Sequence, residues 1–318
     1  MTTYACDISD VRAAAERIAP YAHVTPVMTC SALDALSGRS LFFKCELFQK
    51  VGAFKFRGAM NAVAKLGAKA QRGVVTHSSG NHGQAVALAA RSLGVPATIV
   101  MPSNAPAVKR AAVEGYGARV ITCAPTGAAR QAAADAFCAE TGAAFIHPSN
   151  DPDVIAGQGT IALELLAQMA ELDALVVPVG GGGMLSGVTL AARELKPGIR
   201  VFAAEPLGAD DAARSKAAGR LIPQTAPDTV ADGLRTSLGD NTWPVVRDLV
   251  EEVLVVEEAD ILAATRLVWE RMKLVIEPSA GVGVAAALGD RFRGLSGIER
   301  VGVILCGGNV DLDRLPWA

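Results

Sequence analysis

Ala174-Leu175-Val176-Val177-Pro178-Val179-Gly180-Gly181-Gly182-Gly183-Met184 passes from an uninterrupted apolar run through four glycines into a helical pattern that continues to Glu194. An apolar run without alternation reads as a strand covered on both faces. A glycine turn that delivers such a strand into a helix is the repeating step of a parallel sheet. The step recurs along the chain. Strands are expected at 41–45, 73–76, 97–101, 119–122, 174–178, 201–204 and 301–305, and helices at 83–93, 108–116, 130–141, 160–170, 184–194, 261–272 and 278–288. Strand-helix alternation of this kind defines an α/β protein with parallel sheets. The series from 73 to 149 is complete in itself, which predicts a small domain inserted into a large, discontinuous domain made of 1–72 and 150–318.

At 318 residues and 51% hydrophobic composition, the chain is long enough to bury a sizeable core. A net charge of −2 argues against a polyanionic partner, so no nucleic acid is expected. Residues 1–26 mix Asp7, Asp10 and Glu16 with helical apolar spacing at Val11, Ala14 and Ile18, unlike a signal or transit peptide. No apolar run reaches the length of a membrane span. The six cysteines, Cys6, Cys30, Cys45, Cys123, Cys138 and Cys306, are scattered without CxxC spacing, which fits a reducing cytoplasm better than a zinc site or a disulfide framework.

Four segments carry chemistry. In Phe54-Lys55-Phe56-Arg57-Gly58 a lysine stands between two aromatic rings just after the turn Val51-Gly52-Ala53. Either its stem lies against the rings with a wet head, or burial lowers its pKa and frees an amine for covalent chemistry. The tetraglycine run is either a tight turn or a phosphate cradle at a helix N-terminus, and it is neither GxGxxG nor GxxxxGK[ST]. His77-Ser78-Ser79-Gly80-Asn81-His82-Gly83 follows a strand and opens a helix, as a helix cap does and as a carboxylate cradle does. Leu305-Cys306-Gly307-Gly308-Asn309 follows the last strand, where ligand crevices of α/β sheets lie. Cys306 there is either an inert buried thiol or a weak donor to a ring nitrogen.

Taken together, these segments resemble the pyridoxal-phosphate enzymes of the tryptophan-synthase-β fold type (fold type II). Within that group the chain is most similar to serine racemases and serine/threonine dehydratases, as carried by Phe42-Phe43-Lys44-Cys45-Glu46, Val154-Ile155-Ala156-Gly157-Gln158-Gly159, Glu277-Pro278-Ser279-Ala280-Gly281 and Asn309-Val310-Asp311-Leu312. The resemblance covers essentially the whole chain. It implies two parallel-sheet domains with the cofactor in the cleft between them. Lys55 then holds pyridoxal 5'-phosphate and becomes the base that removes the Cα proton, while Ser79, on the opposite face, supplies the second acid-base group. Phe54 packs on the cofactor ring, Asn81 bonds its hydroxyl, Gly180, Gly181, Gly182, Gly183 and Met184 hold its phosphate, and Glu277 and Cys306 complete the cofactor site. Ser78, Ser79, Asn81 and His82 are implied to bind the substrate carboxylate.

The resemblance also aligns Arg130 and Ser237 with positions near the distal end of the substrate, although Arg130 reads equally well as a solvated helix residue. It places a divalent cation, Mg²⁺ or else Ca²⁺ or Mn²⁺, on Glu205, the carbonyl of Ala209 and Asp211, since an oxygen-only set suits hard ions. Val51-Gly52-Ala53 and Ser149 depart from the family pattern, and both departures weaken an expectation of nucleotide activation. The chain ends at Ala318, so no regulatory domain and no isoleucine feedback are expected. The expected function is an ammonia-lyase converting L-serine or L-threonine to a 2-oxo acid and ammonia, in a cytoplasmic homodimer, with serine racemase activity alongside. The alternative is a 3-hydroxyaspartate dehydratase. Cysteine-synthase-like β-replacement and a non-catalytic cofactor-binding protein stand behind these.

Overall fold

The computed structural model describes residues 4–78, 80–105, 107–315 and 317. Ten strands are assigned among them: β1 (Val27–Met28), β2 (Ser40–Cys45), β3 (Val74–His77), β4 (Ala97–Pro102), β5 (Arg119–Cys123), β6 (Ala144–Phe145), β7 (Ala174–Pro178), β8 (Arg200–Pro206), β9 (Glu252–Val256) and β10 (Arg300–Leu305). They form a six-stranded sheet in the order β1-β2-β10-β7-β8-β9 and a four-stranded sheet in the order β5-β4-β3-β6. All pairings are parallel except that of β1 with β2. The expected α/β class with parallel sheets is therefore present.

Side chains alternate across the small sheet as strand geometry requires. Val74, Ile99 and Met101 face a cluster with Phe56, Met60 and Val86, whereas Val75 and Val100 face Ala134 and Ala143. The core under one face of the small sheet thus includes Phe56, Met60 and Val63 from helix Lys55–Lys65 and Val154 from helix Pro152–Gln168. The large sheet carries the main core, centred on Val176, Val177, Phe202, Val303 and Ile304.

Several elements escaped the periodicity. Strand β9 is flanked by Glu251, Glu252, Glu257 and Glu258 and lies at the sheet edge, so it lacks the continuous apolar surroundings of a central strand. Helix Lys55–Lys65 buries Arg57 and Asn61, polar residues that break the amphipathic pattern. Helix Pro152–Gln168 starts eight residues before the expected 160, with Asp151 accepting from the N–H groups of Asp153 (2.8 Å) and Val154 (3.2 Å). Its glycines hid it. A Cβ on Gly157 would meet Gly58 Cα at 2.6 Å, and one on Gly187 would meet the Ile155 carbonyl oxygen at 2.1 Å and Gly159 N at 2.6 Å. Helices Lys55–Lys65, Pro152–Gln168 and Gly183–Leu195 therefore pack backbone against backbone, which glycine alone permits.

A buried ionic cluster fixes the first of these helices. The Arg57 guanidinium, fully buried, donates to both Glu46 oxygens (2.8 and 2.8 Å) and both Glu164 oxygens (2.6 and 2.8 Å). Lys44 Nζ donates to Glu164 Oε2 at 2.7 Å and to the Thr25 carbonyl at 2.8 Å. Two cations balance two carboxylates. Burial would depress the Arg57 guanidinium, but the Glu46 charge and the hydrogen bonds to Glu164 and Glu46 outweigh it and hold the cation above its ordinary range. Removing one partner leaves an uncompensated buried charge, the costly way to break such a cluster. Arg57→Leu is expected to lose ~3–5 kcal/mol in denaturant unfolding. Arg57→Lys should recover only part of that, because an ammonium cannot fork between two carboxylates.

Candidate active site

The carboxyl ends of β3, β7 and β10 open onto one cavity of about 300 Å³. That volume lies at the lower end of the range for small-ligand sites, and strand ends of this kind are where open α/β sheets bind ligands. Phe54, Lys55, Ser78, Asn81, His82, Arg130, Gly180, Gly181, Gly182, Gly183, Met184, Ser237, Glu277 and Cys306 all border it, so segments far apart in the chain meet as expected. Ser79 lies outside the described residues. Glu205, Ala209 and Asp211 border a different place, beyond the end of β8.

Lys55 is the first residue of its helix, directly after Phe54. The preceding turn is stitched to the segment after β10. Phe54 N donates to the Cys306 carbonyl at 3.0 Å, Ala53 bridges Gly307, and Gly308 N donates to the Gly52 carbonyl at 2.9 Å. Within the turn Val51 has φ 58°, a left-handed conformation that is strained for a β-branched residue. Lys55 Nζ donates to the Pro148 carbonyl at 2.8 Å and lies 5.0 Å from the Phe54 ring centre. Burial lowers its pKa from 10.5 to about 8, against the opposing pull of Cys306 and Glu277. Desolvation wins, and a free amine is accessible near neutral pH.

The glycine loop is walled on every side. A Cβ on Gly180 would meet Leu234 Cα at 2.8 Å, one on Gly181 would meet Ser149 Oγ at 2.3 Å, and one on Gly183 would meet the Ser149 carbonyl at 2.7 Å. Gly182 has φ +81°, a region side-chain-bearing residues avoid. The loop caps helix Gly183–Leu195, so backbone N–H groups and the positive end of the helix dipole meet at the cavity wall, with the Ser149 and Thr236 hydroxyls beside them. The residues present fit a phosphate.

Glu277 accepts from Asn81 Nδ2 (3.1 Å to each oxygen) and from Asn309 N (3.2 Å). Burial and the nearby Asp232 charge raise its pKa to about 7, opposed by those hydrogen bonds. The Cys306 thiol is pushed well above 9 by burial and then by Glu277, so it stays neutral. His82 is neutral too, held well below 6.5 by burial and the Lys55 charge. Its Nε2 contacts the Ile146 carbonyl at 3.2 Å, while Nδ1 is buried without a partner among the described residues. His82 also opens helix Asn81–Ser92, whose first backbone N–H groups suit an anion whatever the ring bonds.

On the far side, Arg130 of helix Gly127–Thr141 borders the cavity with no side-chain hydrogen bond among the described residues. Ser237 Oγ accepts from Gln224 N at 2.8 Å. His77, Lys109, His147, Pro148, Thr236 and Asn309 also border the cavity, with no role assigned to them from the sequence. Of these, His77 and Asn309 stood inside quoted segments. Pro148 and His147 contribute backbone and neutral-ring contacts, which leave little mark on a sequence.

Near the carboxyl end of β8, Glu205 accepts from Ala212 N and Ala213 N, both at 2.8 Å. Asp211 Oδ2 accepts from Leu238 N at 3.1 Å, while Oδ1 is buried and unpartnered among the described residues. Burial raises Glu205 to about 8 and Asp211 to about 6. Two buried carboxylates with an orphaned oxygen fit a hard divalent cation.

Similarity to known proteins is extensive. The family model described as "Pyridoxal-phosphate dependent enzyme" matches residues 18–307. The chain is 54% identical to a serine racemase of Arabidopsis thaliana, over 98% of this chain and 96% of that protein. It is 50% identical to a beta-hydroxyaspartate dehydratase of Paracoccus denitrificans (strain Pd 1222), over 97% and 98%. The structure of maize serine racemase superposes with a TM-score of 0.96 at 52% identity, covering 98% of this chain and 95% of that one. A cradle shaped for phosphate, a lysine with a lowered pKa and a match along nearly the whole length lead to one conclusion: the chain belongs to the pyridoxal-phosphate dependent enzymes of fold type II.

Proposed function

We propose that this enzyme is an ammonia-lyase that converts L-serine or L-threonine to the corresponding 2-oxo acid and ammonia, and that it racemises serine at the same centre. The observation that carries the reading is Lys55, with its lowered pKa, facing a helix N-terminus suited to a carboxylate across a single cavity. When bound, the cofactor supplies an electron sink that acidifies the substrate Cα–H bond. Gly180, Gly181, Gly182, Gly183 and Met184 hold its phosphate through backbone N–H groups, Phe54 packs on its ring, and Asn81, steadied by Glu277, bonds its hydroxyl. Lys55, which carries the cofactor, then accepts the Cα proton.

Ser78, the backbone at Asn81 and His82, and Ser79 hold the α-carboxylate, and Ser79 exchanges a proton on the opposite face. Cys306, neutral and buried, offers the ring nitrogen a weak hydrogen bond rather than a proton. A thiol there would leave that nitrogen unprotonated, which would favour loss of the β-hydroxyl and return of the proton to Cα over transamination. Ser237 lies toward the β-substituent.

A second reading, 3-hydroxyaspartate dehydratase, is favoured by Arg130, a guanidinium at the cavity wall without a side-chain hydrogen bond among the described residues and suited to a second carboxylate. Keto-acid release and chiral product analysis on L-serine, L-threonine and the hydroxyaspartate isomers decide between the two readings. Arg130→Ala is expected to lower kcat/KM for hydroxyaspartate relative to serine by about 100-fold, the worth of one charge-assisted bidentate contact. No detectable turnover of serine and threonine would remove the first reading.

Glu205, Asp211 and the Ala209 carbonyl are proposed to hold Mg²⁺ (or Ca²⁺ or Mn²⁺), tying β8 to helix Asp211–Ala218. Chelation is expected to lower the thermal midpoint and added Mg²⁺ to restore it, by ~2.7 kcal/mol at a free ion level about 100 times its Kd. Glu205→Gln should abolish the response.

Residues 73–149 are proposed as the small domain, supported by their own sheet, with helix Lys55–Lys65 lending core to it. A homodimer in the cytoplasm is proposed as well. Exposed Phe48 and Val275 suit a covered face, and the six free cysteines suit a reducing compartment. No helix among the described residues is long and apolar enough to cross a membrane.

The Lys55 pKa gives a pH prediction. The free amine is the form that captures the cofactor, so capture by cofactor-free protein should accelerate as pH rises through about 8. At pH 7 such an amine is deprotonated roughly 300 times more often than an ordinary lysine. Stopped-flow absorbance on mixing with pyridoxal 5'-phosphate reads the midpoint, and a midpoint near 10.5 would refute the buried-amine argument.

A further inference from the structure

The Asn309 side chain joins three parts of the site that approach from distant points of the sequence. Its Nδ2 donates to the Val51 carbonyl at 2.7 Å and to Asn81 Oδ1 at 2.9 Å. Its backbone N–H donates to Glu277 Oε2 at 3.2 Å. The amide orientation is not arbitrary. Flipped, its oxygen would face two acceptors, the Val51 carbonyl and Asn81 Oδ1, and both donors would be lost. Packing supports the same placement, since a Cβ on Gly52 would come within 2.7 Å of Asn309 Oδ1, so the turn before Lys55 closes directly on this side chain.

Asn81 is thereby held from both ends. Its Nδ2 donates to Glu277 and its Oδ1 accepts from Asn309, which fixes its side-chain torsion and its amide sense together. Glu277 alone leaves the oxygen end undirected, because a carboxylate only accepts. The strained left-handed residue Val51 is tied down by the same amide.

From these contacts we infer that Asn309 is a positioning residue: it sets the orientation of Asn81 toward the cofactor and links that orientation to the turn that presents Lys55. The inference rests on the proposed contact of Asn81 with the cofactor ring. Asn309→Asp tests it, being nearly isosteric but unable to donate to Asn81 Oδ1 or to the Val51 carbonyl.

The readout is the absorption maximum and the dissociation constant of bound pyridoxal 5'-phosphate in Asn309→Asp, Asn81→Ala and the double variant. Both single variants are expected to shift the chromophore and to weaken cofactor binding by about tenfold, the worth of one hydrogen bond. The double variant should add nothing on either readout, because the two residues act in series. Should Asn309→Asp not accumulate folded, Asn309→Ser, too short to reach either acceptor, carries the same cycle. An unshifted chromophore in the Asn309 variant beside a shifted one in Asn81→Ala overturns the positioning role, and so does additivity in the double variant. An unshifted chromophore in Asn81→Ala instead overturns the Asn81 contact on which the inference stands.

Discussion

The fork of Arg57 between Glu46 and Glu164 is the constraint on which the rest of the site depends. Lys55 stands two residues earlier in the same helix, so its direction is set wherever that guanidinium is anchored. A hydrophobic anchor in this place would tolerate rotation about the helix axis. Two carboxylates approached along a planar fork do not, because each N–H···O bond has its own direction. Buried ion pairs often add little net stability, and here the geometric definition matters more than the energy.

Around that anchor the electrostatics follow from burial rather than from clustered charge. Lys55, Glu277, Cys306 and His82 are all displaced toward their neutral forms, chiefly by desolvation. Their charges are weakened rather than removed, since Lys55 near 8 and Glu277 near 7 both titrate close to neutral pH, and a dianionic phosphate and a substrate carboxylate would bring their own. Backbone N–H groups at the starts of helices Gly183–Leu195 and Asn81–Ser92 then receive those anions. Arg130 and Lys109 are the formal cations at the rim beyond Lys55 among the described lining residues, and Lys109 is paired with Asp232 at 2.6 Å.

Much of this was legible in the amino-acid sequence. The apolar run into four glycines revealed a parallel sheet and the turn that opens helix Gly183–Leu195, because both depend on local composition. Lys55, Asn81 and Cys306 were legible because each follows a strand or turn in a short, distinctive string. Helix Lys55–Lys65 was not, since its buried face carries Arg57 and Asn61, whose partners come from across the fold. The start of helix Pro152–Gln168 was lost to Gly157 and Gly159, which lower helix propensity and are retained for contact. The contact of the His82 ring with the Ile146 carbonyl has no local signature and was not legible.

The glycine seam through Gly58, Gly157, Gly159 and Gly187 has a mechanical consequence. Side chains between helices act as compliant spacers, able to change rotamer and absorb a shift of a few tenths of an ångström. Where main chains touch there is no such cushion, because the peptide unit is stiff. The helix bearing the reactive amine, the long helix beside it and the helix bearing the phosphate cradle therefore form one inelastic slab. The spacing between the helix that begins at Lys55 and the helix that follows the glycine loop is thus held by main-chain contact, and what freedom remains lies in the torsions of the Lys55 side chain itself.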